Sequence, residues 1–129
     1  MAINSKAKGK RGELDWCFRC LQHGYVVRRT AQFCGNNESG AADCVGIRGL
    51  HMEVKYVEHL NIYTAMAQSI RDTQKTGKGE IPIVAHRRNN REWLVTLRAD
   101  DFLELYRNRH AELVKADVGK VEGEHHEEE

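Results

Sequence analysis

The stretch HMEVKYV, residues 51–57, sets a carboxylate and an ammonium two positions apart inside an apolar, β-prone run. Successive side chains of a strand point to opposite faces, so Glu53 and Lys55 share one face while Met52, Val54 and Tyr56 share the other. One side of this strand must be covered by a core, and the other is charged. Immediately upstream, ADCVGIR leads to Gly49, which marks the two runs as a hairpin. A three-residue loop of Arg48, Gly49 and Leu50, or a bulge with the same effect, predicts Asp43 opposite Lys55 and diagonal to Glu53, on the same face. A two-residue loop would send Asp43 to the wrong side.

The rest of the chain alternates helical and strand patterns around this hairpin. In KGKRGELDWCFRCLQHG, Leu14, Cys17, Phe18 and Leu21 recur at spacings of three and four and are closed by Gly24, the pattern of an amphipathic helix entered through flexible basic residues. YVVRR, residues 25–29, is a short strand followed by the polar loop TAQFCGNNESGA. A second helix is predicted over about 62–74, ending at TGKG. IPIVAHR and EWLVTLR read as two strands around the turn RNN, and ADDFLELYRNR as a terminal helix with Asp100 and Asp101 at its acidic start. The order is α-β-β-β-α-β-β-α, an α/β fold with a mixed sheet flanked by helices. The length fits one domain over residues 1–110, and the acidic stretch 111–129 is expected to be disordered.

Charge is distributed unevenly. Residues 1–110 hold 18 of the 20 Lys and Arg and 12 of the 19 Asp and Glu, whereas 111–129 hold 2 basic and 7 acidic residues. A basic body of this kind suits a polyanionic partner, because clustered Lys and Arg replace counterions on phosphates; a solvated surface has the same composition. No apolar run reaches the roughly 18 residues needed to span a bilayer, and the basic N-terminus lacks the apolar stretch of a secretion signal. These features predict a cytoplasmic protein. Cys17, Cys20, Cys34 and Cys44 fit a reduced compartment as buried free thiols, since both members of the C-x-x-C pair lie in one helix and no second close pair exists. TGKGE is no phosphate-binding P-loop, because Gly79 follows the lysine and Asp72 stands where the first glycine belongs.

Asp43, Glu53 and Lys55 converging on a sheet surface have a chemical use. Carboxylate oxygens hold Mg²⁺, which keeps several waters and takes substrate phosphate oxygens as further ligands. Lys55 can orient or help deprotonate the attacking water. The same residues also fit a salt-bridged strand exposed on one face, a common and weakly stabilising arrangement.

GKRGE opening the first helix, SGAAD before the second strand, EVK on the third and Gln68 on the following helix together resemble the PD-(D/E)XK nuclease superfamily. Within it they look most like the small Holliday junction resolvases of archaeal type and their phage relatives. Ala42 stands where the superfamily pattern has Pro, a position that supplies no ligand. The resemblance implies that Asp43, Glu53 and the carbonyl of Val54 bind the metal, with Glu13 completing the site directly or through water. It further implies Lys55 as the catalytic lysine, Ser39 near the scissile phosphate and Gln68 facing the site, whereas Tyr63 and Met66 are expected to pack against the sheet. Lys6, Lys8, Lys10 and Arg11 before the first helix, Arg28 and Arg29, and Arg87, Arg88 and Arg91 are the expected DNA phosphate contacts. The implied activity is Mg²⁺-dependent cleavage of a four-way junction, with Mn²⁺ as substitute, leaving 5′-phosphate and 3′-hydroxyl ends. Symmetric cutting implies a homodimer, for which EWLVTLR and Phe102, Leu105 and Tyr106 are candidate surfaces. Two alternatives stay open at this point: the same chemistry on flap, nicked or duplex DNA, and a binding module with a vestigial metal site.

Overall fold

The computed structural model of the chain describes residues 5–30 and 40–127, and side chains over 7–30 and 40–121. The elements in order are α1 (Ser5–Gln22), β1 (Arg28–Arg29), β2 (Cys44–Val45), β3 (Leu50–Tyr56), α2 (Ile62–Thr76), β4 (Ile81–Arg87), β5 (Leu94–Leu97) and α3 (Ala99–Glu127). The order is the one the sequence patterns predict. Contacts divide the chain into two compact units that meet in sequence at Leu97 and Arg98, so the expected boundary at residue 110 falls inside α3.

The first unit is a five-stranded sheet of order β1-β2-β3-β4-β5. β3 and β4 are parallel and the other neighbours antiparallel. A parallel pair needs a crossover, and α2 supplies it. Asn61 caps that helix by accepting the Thr64 N–H at 3.1 Å, and left-handed Gly77 closes it.

Strand alternation sorts the two faces. Met52 and Val54 of β3, with Ile83 and Ala85 beside them on β4, pack with Trp16 and Cys20 of α1. Val84, paired with Glu53, packs on the other face against Ala65 and Met66 of α2. Burying each apolar side chain contributes roughly 1.5–3 kcal/mol, so the two helices are held chiefly by these stripes. The charged face of β3 is therefore not open to solvent along its length: α2 lies over it and Glu53 is 1% exposed, while Lys55 further along is half-buried. Tyr63 falls outside the buried stripe of Ala65, Met66, Ser69, Asp72 and Thr73; it is 87% exposed and does not pack on the sheet, while Met66 does.

α1 begins at Ser5, earlier than the apolar spacing suggests, so Lys8, Lys10 and Arg11 lie on the helix and not before it. Gly12, within this helix, marks a close approach to the sheet. A Cβ there would stand 2.6 Å from Tyr56 Cβ. Around this contact Trp16 and Trp93 rings lie 5.2 Å apart, and Trp93 Nε1–H donates to Asp15 at 2.8 Å, tying α1 to the sheet.

The second unit is α3. It continues through residue 110 to Glu127, across the stretch whose composition predicts disorder. Ion pairs three residues apart, Arg107 with Glu104 at 2.9 Å and Arg109 with Glu112 at 3.4 Å, lie along a helix rich in good helix formers. Among the described residues no helix is long and apolar enough to cross a membrane.

Candidate functional site

The hairpin register differs from the expected one. Cys44 pairs with Met52, which sets Asp43 beside Glu53 instead of Lys55. The turn is one residue further back, with the Leu50 N–H donating to the Ile47 carbonyl at 3.2 Å. Because the loop still contains an odd number of residues, Asp43 keeps the predicted face. Here the ladder is irregular: the Asp43 N–H donates to the Met52 carbonyl at 3.1 Å, and Asp43 Oδ2 accepts the Val54 N–H at 2.9 Å. A carboxylate thus takes the place of a backbone acceptor and is fixed by it.

The segment leading into Asp43 is held from the opposite side. Gly40 has φ +72, and a Cβ there would stand 2.6 Å from the Asp72 carbonyl oxygen, so glycine lets the chain lie against the end of α2.

Asp43 and Glu53 make an unfavourable pair when both are ionised. Burial and then the Glu53 charge push the Asp43 carboxyl well above the usual carboxylate range, with the Val54 N–H and Lys55 opposing. Lys55 Nζ donates to Gln68 Oε1 at 3.3 Å, so α2 holds the lysine over the same sheet face. Asp43, Glu53, Val54, Lys55 and Gln68 are therefore brought together. Ser39 lies outside the described residues.

Glu13 commits its carboxylate to Arg29, at 2.7 Å. That pair sits beside Cys17 and Cys44, whose thiols are 3.9 Å apart. Burial pushes the Cys17, Cys20 and Cys44 thiols up, which keeps them protonated; all three are free.

Behind Glu53 lies a cluster that the sequence reading did not single out. His51, two residues earlier on the same face, has Nε2 3.2 Å from Glu53 Oε1 and Nδ1 4.0 Å from Glu80 Oε1. Asp72 of α2 joins them: one ligand atom each from His51, Glu53 and Asp72 lie within 4.8 Å of one another, and all three residues are buried. His51 was legible from strand alternation. Asp72 was not, because its direction depends on how α2 is turned over the sheet.

The candidate phosphate contacts divide into two kinds. Arg29 is paired with Glu13, and Arg87 bonds Asp15 at 2.5 Å and the Arg91 carbonyl at 2.7 Å. Lys10, Arg11, Arg28, Arg88 and Arg91 are exposed. Lys8 and Arg87 both lie over the Tyr56 ring, at 5.5 and 5.8 Å from its centroid. Two clefts flank Arg87. One of about 520 Å³ is lined by Lys8, Arg11, Tyr56 and Asn89, and one of about 550 Å³ by His86, Arg88, Arg91 and Leu94.

No protein-family model matches the sequence, and no curated protein does. Among solved structures the chain is similar to Hjc, a Holliday junction resolvase from the archaeal hyperthermophile Archaeoglobus fulgidus. The two are 23% identical, the match covers 69% of this chain and 76% of that one, and the TM-score is 0.55. This likeness gives the fold: a mixed five-stranded sheet flanked by helices, of the restriction-endonuclease-like kind.

Proposed function

We propose that the chain is a divalent-metal-dependent endonuclease of the PD-(D/E)XK superfamily that cuts branched DNA, with a four-way junction as substrate and a homodimer as the working form. The observation that carries this reading is the convergence of Asp43, Glu53 and Lys55 on one sheet face, in which burial and the neighbouring Glu53 charge raise the proton affinity of Asp43. The charge of Lys55 offsets only part of the strain between these two carboxylates, so a cation is favoured beside them, and an all-oxygen donor set suits Mg²⁺ or Mn²⁺. The fold shared with a junction resolvase supports the choice of substrate.

Asp43, Glu53 and the Val54 carbonyl would hold the cation, and Glu13, paired with Arg29, would complete the set through water. When bound, such an ion polarises a phosphodiester and lowers the pKa of a coordinated water. The chain's own groups do the rest. The Val54 N–H holds Asp43 Oδ2 in place. Lys55, anchored by Gln68, directs an ammonium donor at the attacking water and at charge developing on phosphate oxygens. Exposed Lys10, Arg11, Arg28 and Arg88 supply phosphate contacts that set the duplex arms without reading sequence.

Cleavage of a labelled four-way junction and a linear duplex of matching sequence, in Mg²⁺ or EDTA, by wild type and Glu53→Gln tests the reading. Paired symmetric cuts in the junction alone, absent in EDTA and in the variant, are expected. Equal cutting of both substrates removes junction specificity, and no cutting with any divalent metal removes the enzyme.

A further inference from the structure

We propose that His51, Glu53 and Asp72 form a second divalent-cation site, buried between β3 and α2, that takes zinc through one imidazole nitrogen and two carboxylates. It goes beyond the nuclease reading and does not depend on it.

The three residues are 1%, 1% and 5% exposed, and their ligand atoms lie within 4.8 Å of one another. The separation of His51 Nε2 from Glu53 Oε1, 3.2 Å, is close to the edge of a tetrahedral zinc site, about 3.3 Å for ligands near 2.0 Å from the metal. Asp72 carries an independent sign. It is buried, yet its Oδ2 has no hydrogen-bond partner, and the Lys75 ammonium reaches only Oδ1, at 3.9 Å. An unpartnered carboxylate oxygen is costly in a protein interior, and a cation removes that cost.

The other side of the imidazole fits as well. His51 Nδ1 also lacks a hydrogen-bond partner, and Glu80 Oε1 stands 4.0 Å from it. A ligating histidine commonly turns its remaining N–H to a carboxylate, which fixes the ring and the tautomer. Glu80 is placed for that role. Separations of up to 4.8 Å would contract by side-chain movement on binding, and water would supply the fourth position of a tetrahedral site.

The nitrogen donor separates this site from the all-oxygen set at Asp43. Imidazole suits Zn²⁺ among common divalent ions, whereas Mg²⁺ prefers oxygen. Glu53 belongs to both sets through its two oxygens, so a cation on the α2 side would orient the carboxylate that faces Asp43.

Zinc binding to the metal-free full chain tests the site, with Zn²⁺ alone titrated against a chromophoric chelator. Tail histidines His125 and His126 are replaced by alanine throughout so that they contribute no ligands. Wild type is expected to bind one equivalent, Asp72→Asn and His51→Gln at least tenfold more weakly, and Glu80→Gln about tenfold more weakly. Asp43→Asn keeps zinc affinity while losing cleavage, so failure of this site and failure of the nuclease reading give different patterns. Zinc binding lost in Asp43→Asn and kept in Asp72→Asn would assign the ion to the other carboxylate pair and overturn the proposal. Unchanged affinity in all variants, or no binding by wild type, would overturn it too. If Asp72→Asn fails to fold, the imidazole ¹⁵N shifts of His51 in wild type decide: a metal-dependent shift at Nε2 supports the site, and none refutes it.

Discussion

Val54 donates its backbone N–H to Asp43 Oδ2 at 2.9 Å, so a side chain of one strand takes the place of a main-chain acceptor for the next. Asp43→Asn can keep this hydrogen bond through its amide oxygen while losing the charge. The fold is expected to persist and junction cleavage to fall about a thousandfold, the loss of several kcal/mol of transition-state stabilisation. DNA binding should stay level or tighten, since repulsion of phosphate is reduced. Near-normal cleavage by this variant would remove Asp43 from the site.

The same carboxyl makes stability depend on pH. Asp43 is pushed up to about 7 in the folded chain from 3.8, so its protonated form is favoured by folding. Its contribution is complete below about pH 4 and is lost as pH rises through 7. The melting temperature of the metal-free protein should therefore drop between pH 5 and pH 8 more steeply in wild type than in Asp43→Asn. Subtracting the two profiles isolates the coupled Asp43–Glu53 pair, because the titrations of groups remote from it cancel. Added Mg²⁺ should recover the loss at pH 8 in wild type only.

Lys55 contacts Gln68 and is half-buried, so its removal distinguishes chemistry from packing. Lys55→Ala should lose about a hundredfold or more in cleavage rate. Its melting temperature should change by no more than a few degrees, since the loss is one long hydrogen bond to Gln68 and a partly screened attraction to Asp43. A protein that unfolds instead would make the lysine a structural member of the sheet.

At Gly12 the consequence is mechanical. An added methyl would lie 2.6 Å from Tyr56 Cβ, so Gly12→Ala should destabilise by about 1–3 kcal/mol as α1 is forced off the sheet. Thermal unfolding reads this directly; Gly9→Ala, where a Cβ meets nothing within 4 Å, is the matched control and should be neutral or stabilising.

Two neighbouring arginines should behave differently. Arg88 is exposed, and Arg88→Ala should weaken DNA binding with the salt slope reduced by about 1 and no thermal shift. Arg87 bridges Asp15 and the Arg91 carbonyl, so Arg87→Ala should lower the melting temperature first. Fluorescence anisotropy across a salt series, beside melting curves, separates the two.

Much of this arrangement was legible in the sequence because it follows from periodicity. The alternation of HMEVKYV fixes which side chains share a face, but the spacing of Leu14, Cys17, Phe18 and Leu21 points to the wrong stripe of α1: Leu14, Phe18 and Leu21 are exposed, and Trp16 and Cys20, with Cys17 at the margin, meet the sheet. Register was not legible to the residue, since a loop of Arg48, Gly49 and Leu50 and the observed one over residues 47–49, shifted by one, satisfy the same alternation. Nor was the partner of Glu13. Arg29 reaches it only because β1 pairs with β2 at the sheet edge, a long-range relation that local pattern does not encode. The helical stretch after residue 110 escaped for the opposite reason: low apolar content argues against a core, but it does not prevent a helix stitched by neighbouring charges.

Asp43 and Glu53 are carried by one hairpin, whereas the lid over them comes from the α2 crossover. The spacing between the two carboxylates is thus a local property, and the dryness of their surroundings is a distant one. Substitutions along the inner face of α2 can retune how strongly the pair holds protons or cations while leaving its geometry untouched. A lineage, or a protein engineer, can adjust reactivity from a helix that carries neither of the two acids.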